Sequence, residues 1–163
     1  MMQQYPHKLI PGIDPSPSGI TIFHPQALPL FRHARGRARL SGLLAGLIGR
    51  SRRLRTLSKV SAWGMLTPTG SAHVQQVRLH QIVGTVDGGD GFDVDFYPRS
   101  DRLADRWVRI ASMMLQGRSL PPVELVQVDK RFFVIDGHHR ISVARMLGYD
   151  SIDAVITAHH AVS

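Results

Sequence analysis

From Phe132 to Gly148 the chain reads FFVIDGHHRISVARMLG, where apolar and polar positions change period in mid-segment. Phe132 to Ile135 is a short run of aromatic and β-branched residues, the pattern of a buried strand. After Asp136 and Gly137, Ile141, Ala144 and Met146–Leu147 recur at helical spacing, and Gly148 is a natural helix stop. The pattern predicts a strand over 132–135, a glycine turn and a helix over 138–147. The same reading puts strands at 82–86, 123–128 and 152–156. It also puts a helix at 101–116, capped by Ser100 or Asp101 and ended by Gly117, with Leu103, Trp107, Ile110, Ala111 and Met114 inward.

Upstream, Leu40, Leu43, Leu44, Leu47 and Ile48 form one apolar helical stripe, expected to pack on the domain. Gly42, Gly46 and Gly49 weaken that helix by ~1 kcal/mol each relative to alanine. Residues 1–31 contain six of the ten prolines and little periodicity, which reads as an irregular, disordered extension. The expected organisation is that extension, a basic amphipathic helical arm at 32–60, a linker at 61–78, an α/β domain at 79–157 and a tail at 158–163. In the linker, Trp63 to Leu66 is expected to pack on the domain and Thr67 to Ser71 to turn.

Charge sharpens this division. Residues 1–60 carry ten Lys or Arg against Asp14 alone, or +9, so residues 61–163 carry −1 of the chain's net +8. A basic arm on a near-neutral domain points to a polyanionic partner. Arg50, Arg52, Arg53 and Arg55 are its candidate nucleic-acid contacts, a membrane-surface helix being another use of the segment. Few aromatics interleave with these arginines, so base stacking is poorly supported. The chain has no cysteine, which excludes disulfides, thiolate metal sites and cysteine nucleophiles and suits a reducing cytoplasm. No apolar run approaches the ~20 residues of a membrane span, and the N-terminus lacks a signal-peptide layout.

Candidate chemistry concentrates at Asp136, Gly137, His138, His139 and Arg140. The unpaired N–H groups at the start of a helix favour an anion, phosphate above all, and a guanidinium one turn in can grip its oxygens. Asp136 would cap the turn or contact a metal-bound water. The two histidines point about 100° apart on a helix and would not share a metal, so no direct protein cage is expected. One imidazole would face the phosphate and the other support the turn. Asp87, Asp90, Asp93 and Asp95 invite a hard-cation reading, although their offsets do not match the calcium-hand loop. Asp93 and Asp95 rank first, because Phe92 and Phe96 would anchor them. Arg102, Arg106 and Arg109 read as a solvated face salt-bridged through Asp105, and Arg99 as a better ligand contact.

The segment LPPVELVQVDKRFFVIDGHHRISVARMLGYDSIDAVI, with Gly117 and Pro121–Pro122 ahead of a strand and Gly137 and Arg140 at the turn, resembles the core of the ParB/sulfiredoxin-like superfamily. The resemblance extends over roughly Leu79 to Ile156. It implies an α/β fold with a mixed sheet, preceded here by the basic arm, and a turn that binds nucleotide phosphates. It also places the loop after the first strand beside that turn, where one of Asp87, Asp90, Asp93 and Asp95 could hold a metal–nucleotide complex or act as a base. The turn differs from the Gly-Glu-Arg-Arg of partition proteins, is closer to that of ADP-dependent free-serine kinases, and lacks the cysteine of sulfiredoxin. With seven residues after Ile156, partition by this chain alone is not expected. Three functions follow: a regulatory module binding a nucleotide (ATP, ADP or CTP, with Mg²⁺) or a phosphorylated small molecule; a DNA-binding or nuclease protein using the arginine arm; and a small-molecule kinase. The only glutamate, Glu124, falls in an expected strand, so the kinase family's catalytic glutamate has no clear counterpart.

Overall fold

The structure is a computed structural model and describes residues 23–57, 67–68 and 74–160. The expectations for residues 1–22, for Trp63 to Leu66, for Thr69 to Ser71, for the arm beyond Leu57 and for residues 161–163 lie outside them.

A long helix, α1 (Ala27–Leu47), leads into a short strand, β1 (Arg55–Thr56). Strands β2 (Thr67–Pro68), β3 (Val74–Arg78) and β4 (Ile82–Thr85) follow. Then come α2 (Ala104–Leu115), β5 (Val123–Val128), β6 (Arg131–Asp136), α3 (His138–Met146) and β7 (Ser151–His160). Among the described residues the seven strands form one sheet in the order β1-β4-β6-β5-β7, with β2 and β3 both on the far edge of β7. β1 runs parallel to β4, β4 to β6 and β5 to β7, while β5 and β6 form an antiparallel hairpin. The mixed α/β architecture expected from the sequence is therefore present.

Side chains alternate across the sheet, so its faces bury different residues. On one face Leu125, Phe132 and Val134 join Trp107 of α2, Ile141 and Ala144 of α3 and Phe31 of α1 in the main core. Leu57, Val86, Val126 and Phe133 form a smaller cluster on the other. Trp107 is fully buried, its ring 5.6 Å from Phe31, and its indole N–H donates to Ser142 Oγ at 2.9 Å. That bond satisfies the donor that burying a tryptophan would otherwise strand, and it ties α2 to α3.

Several boundaries differ from expectation. α1 starts at Ala27, inside the stretch read as irregular, because Phe31 and the small residues Ala27, Ala34 and Ala38 supply a buried apolar stripe on a helix that packs on α2. The leucine stripe is on the opposite side. Leu40, Leu43, Leu44, Leu47 and Ile48 are exposed rather than packed on the domain. Val74–Arg78, read as linker, is a strand on β7, and Thr67–Pro68, read as turn, pairs with Ala158–His159. β7 accordingly extends beyond the expected 152–156 into the stretch read as a tail.

Candidate functional site

Beyond Asp136 the backbone turns sharply at Gly137, with φ of 110° and ψ of 15°, a conformation open to glycine and costly for side chains. A Cβ there would sit 2.5 Å from Val123 Cγ1. The turn swings α3 so that its N-terminus opens onto a cavity of about 240 Å³. This space is bordered by Gly89, Gly91 and Phe92 from the loop after β4, by Leu103, Arg106 and Ile110 around α2, and by Asp136 to Arg140. The first-turn amides of α3 have no carbonyl one turn earlier to bond, and the helix dipole places partial positive charge there. Asp136 does not cap them: the N-cap is Gly137, without a side-chain cap, and the Asp136 carboxylate pairs with Arg140 instead.

Arg140 is held in a way the sequence did not suggest. Its Nη1 donates to the carbonyls of Pro121 at 2.5 Å and Pro122 at 2.7 Å, and its Nη2 to Asp136. The guanidinium expected to grip phosphate thus clamps α3 to the proline-led entry of β5, leaving part of its edge on the cavity. Of the two arginines bordering the cavity, Arg106, exposed on α2, is the one without an ion pair among the described residues. Sequence reasoning assigned Arg106 to a solvated face. The missed signal is its offset from Trp107: the residue just before a buried tryptophan sits at the margin of the core-facing stripe.

The two histidines separate clearly. His138 Nε2 lies 2.9 Å from Thr85 Oγ1, and that hydroxyl is also 2.7 Å from the Asp87 carbonyl and 3.2 Å from that of Val134. A hydroxyl has one proton to give, and the carbonyls can only accept. His138 is therefore the donor, which fixes its Nε2–H tautomer. Its ring also stacks on Phe92 and Phe96, so His138 is the supporting imidazole. His139 meets the edge of Phe92, and its Nε2 is buried without a hydrogen-bond partner among the described residues. Burial pushes both imidazoles below their usual range, His139 to about 4, with the Arg106 charge acting in the same direction. Both rings are neutral at pH 7, so the positive potential of the cavity comes from Arg106 and the α3 amides.

Asp93 and Asp95 make contacts that hold the loop. Asp93 is buried and accepts the backbone N–H groups of Asp95 at 3.0 Å and Tyr97 at 2.9 Å. Burial raises its carboxyl above the ordinary range, against those two bonds. The knot holds Phe96 at a positive φ of 62°, where its buried ring stacks under His138 and carries the Arg145 guanidinium 4.8 Å above it. Asp95 pairs with Arg52, and Asp87 accepts from the Gly88 N–H. Asp87 and Asp90 are exposed, and none of the four borders the cavity. Arg99 lies outside it as well, its Nη1 3.5 Å from the Asp90 carbonyl. Among the described residues no group of three or more His, Asp or Glu is arranged to hold a metal ion.

Of the basic arm, Arg35 and Arg39 pair with Asp101, Arg37 donates to the Tyr97 hydroxyl at 2.8 Å, and Arg52 binds Asp95. Arg50, Arg53 and Arg55 remain exposed. Among the described residues no helix is long and apolar enough to cross a membrane.

No protein-family model matches the chain, and no curated protein matches it. Among solved structures, the crystal structure of sulfiredoxin from Arabidopsis thaliana is similar at 17% identity with a TM-score of 0.38, covering 52% of this chain and 83% of that one.

Proposed function

We propose that the cavity at the start of α3 binds the phosphate groups of a nucleotide or phosphorylated small molecule, and that the protein is a binding module of regulatory type. The observation that carries this reading is the convergence on one opening of the first turn of α3, which has no side-chain cap, with the Arg106 guanidinium, which has no ion pair among the described residues. An anion there would meet helix-terminus N–H groups and an exposed cation together, the arrangement that suits phosphate. The resemblance of the DGHHR turn to phosphate-binding turns points the same way. A volume of about 240 Å³ is below the ~300–1,000 Å³ of pockets that bury a whole drug-sized ligand. The phosphates would enter, and the remainder of the ligand would extend past the rim. Mg²⁺ would then arrive on the nucleotide rather than in a protein cage.

The same geometry argues against turnover by these groups. The only carboxylate on the cavity, among the described residues, is Asp136, which Arg140 engages. A kinase needs a base within hydrogen-bond reach of its acceptor hydroxyl, and Asp93 and Asp95 are committed to the loop. A metal-dependent nuclease would lack the same carboxylates. Calorimetric titration with ATP, ADP and CTP in the presence of magnesium tests the proposal. Saturable binding by wild type, weakened about tenfold or more in Arg106→Ala as expected for a lost charge-assisted contact, is the predicted result. Absence of binding to a folded wild type would contradict it.

A further inference from the structure

The outward side of α1 is an apolar surface left exposed among the described residues. At ~100° per residue, Leu40, Leu43, Leu44, Leu47 and Ile48 share the side facing away from Phe31, Ala34 and Ala38, and each is between 58% and 84% exposed. Five large aliphatic side chains together on two and a half turns make a contiguous patch, which soluble proteins keep for a partner. Its electrostatic setting is one-sided. No Asp or Glu occurs anywhere between Asp14 and Asp87. Exposed Arg32 precedes the patch, and exposed Arg50, Arg53 and Arg55 follow it. Among the described residues these four guanidiniums have no ion pair to an acid, unlike Arg35, Arg39 and Arg52.

We infer that this side of α1 docks on an anionic lipid surface, with the leucines entering the boundary between headgroups and acyl chains and the arginines meeting lipid phosphates. The combination decides the occupant. An apolar stripe flanked by cations is the requirement for a helix lying in a membrane interface, and anionic headgroups add roughly 1 kcal/mol of attraction per Lys or Arg near the surface. A second copy of the chain would bring two acid-free, arginine-flanked patches together and incur like-charge repulsion. Duplex DNA would satisfy the arginines but leave the leucines in water. The helix is tied to the domain through Arg35, Arg37 and Arg39, so the whole molecule would be carried to the surface.

Flotation of the full chain with vesicles tests this, using neutral phosphatidylcholine and, in parallel, vesicles in which anionic phosphatidylglycerol makes up roughly a third of the lipid. The expected result is flotation with the anionic vesicles that declines as salt rises. It should fall roughly tenfold or more in the double variant Leu43→Glu/Leu47→Glu and in the triple variant Arg50→Ala/Arg53→Ala/Arg55→Ala. The glutamates sit at exposed positions, and an unchanged circular dichroism melt would show that both variants fold. Three results would overturn the inference: wild type that does not float, flotation unaffected by the leucine substitutions, or a dimer that these substitutions dissociate while vesicles bind neither form. Retention of duplex DNA by a wild type that ignores vesicles would assign the arm to nucleic acid and also overturn it.

Discussion

Removing the Arg140 guanidinium leaves the Pro121 and Pro122 carbonyls without their donor and Asp136 without its partner. Hydrogen bonds to charged groups contribute about 1.5–3 kcal/mol, so Arg140→Ala should lower unfolding stability by about 2 kcal/mol in a denaturant melt. Arg106→Ala, at an exposed position, should leave stability within about 0.5 kcal/mol while losing ligand. Two arginines on one cavity are thereby separable into a clamp and a contact. The histidines give a pH signature. A folded-state value of about 4 for His139, below the 6.5 of a free imidazole, means that the unfolded chain binds a proton that the folded one refuses. Stability from this source is fully present above about 6.5 and declines as pH falls toward 4. His138 shifts in the same direction. His139→Gln, which cannot titrate, should show a shallower acid limb when melts are followed between these values; an unaltered limb would remove His139 from the account.

At the scale of elements, α3 depends on the left-handed turn before it. Gly137→Ala would need a backbone conformation that costs a side chain about 1–3 kcal/mol and would drive a methyl group into Val123. We expect a destabilised protein with lost ligand binding, checked by melting and titration together. β4 carries a comparable constraint, since a Cβ on Gly84 would sit 2.3 Å from the Arg55 carbonyl. Gly84→Ala should therefore detach β1, seen as faster amide exchange at Arg55 and Thr56. α2, β5, β6 and α3 were legible in the sequence because each contrasts apolar and polar positions over at least one full period. β3 was not, because in Val74-Gln75-Gln76-Val77-Arg78 only Val77 is buried, and an edge strand of that kind looks like linker. The cavity was legible from the turn motif, but its cation was not. Besides its local partner Asp136, Arg140 differs from Arg106 in what tertiary packing places beside it, the carbonyls of Pro121 and Pro122 being 19 and 18 residues away.

For the molecule as a whole, α1 was legible as a helix but its orientation was inverted. Two apolar faces compete in its sequence, and leucines outweigh alanines on any hydrophobicity scale. Close packing selected the other face, since small residues around Phe31 let α1 lie tightly against Trp107. The outcome is a molecule with two separate surfaces, a cavity of about 240 Å³ at the start of α3 and an apolar, arginine-flanked helix side. The central claim is that the first of these holds phosphate, and amide chemical shifts report on it most directly. Titrating magnesium nucleotide into ¹⁵N-labelled protein should shift the Gly137, His138 and His139 amides together with the Arg106 side-chain signal, and Arg106→Ala should need a markedly higher ligand concentration to reach the same shifts. Perturbations confined to other parts of the protein, or none at saturating nucleotide, would contradict the account.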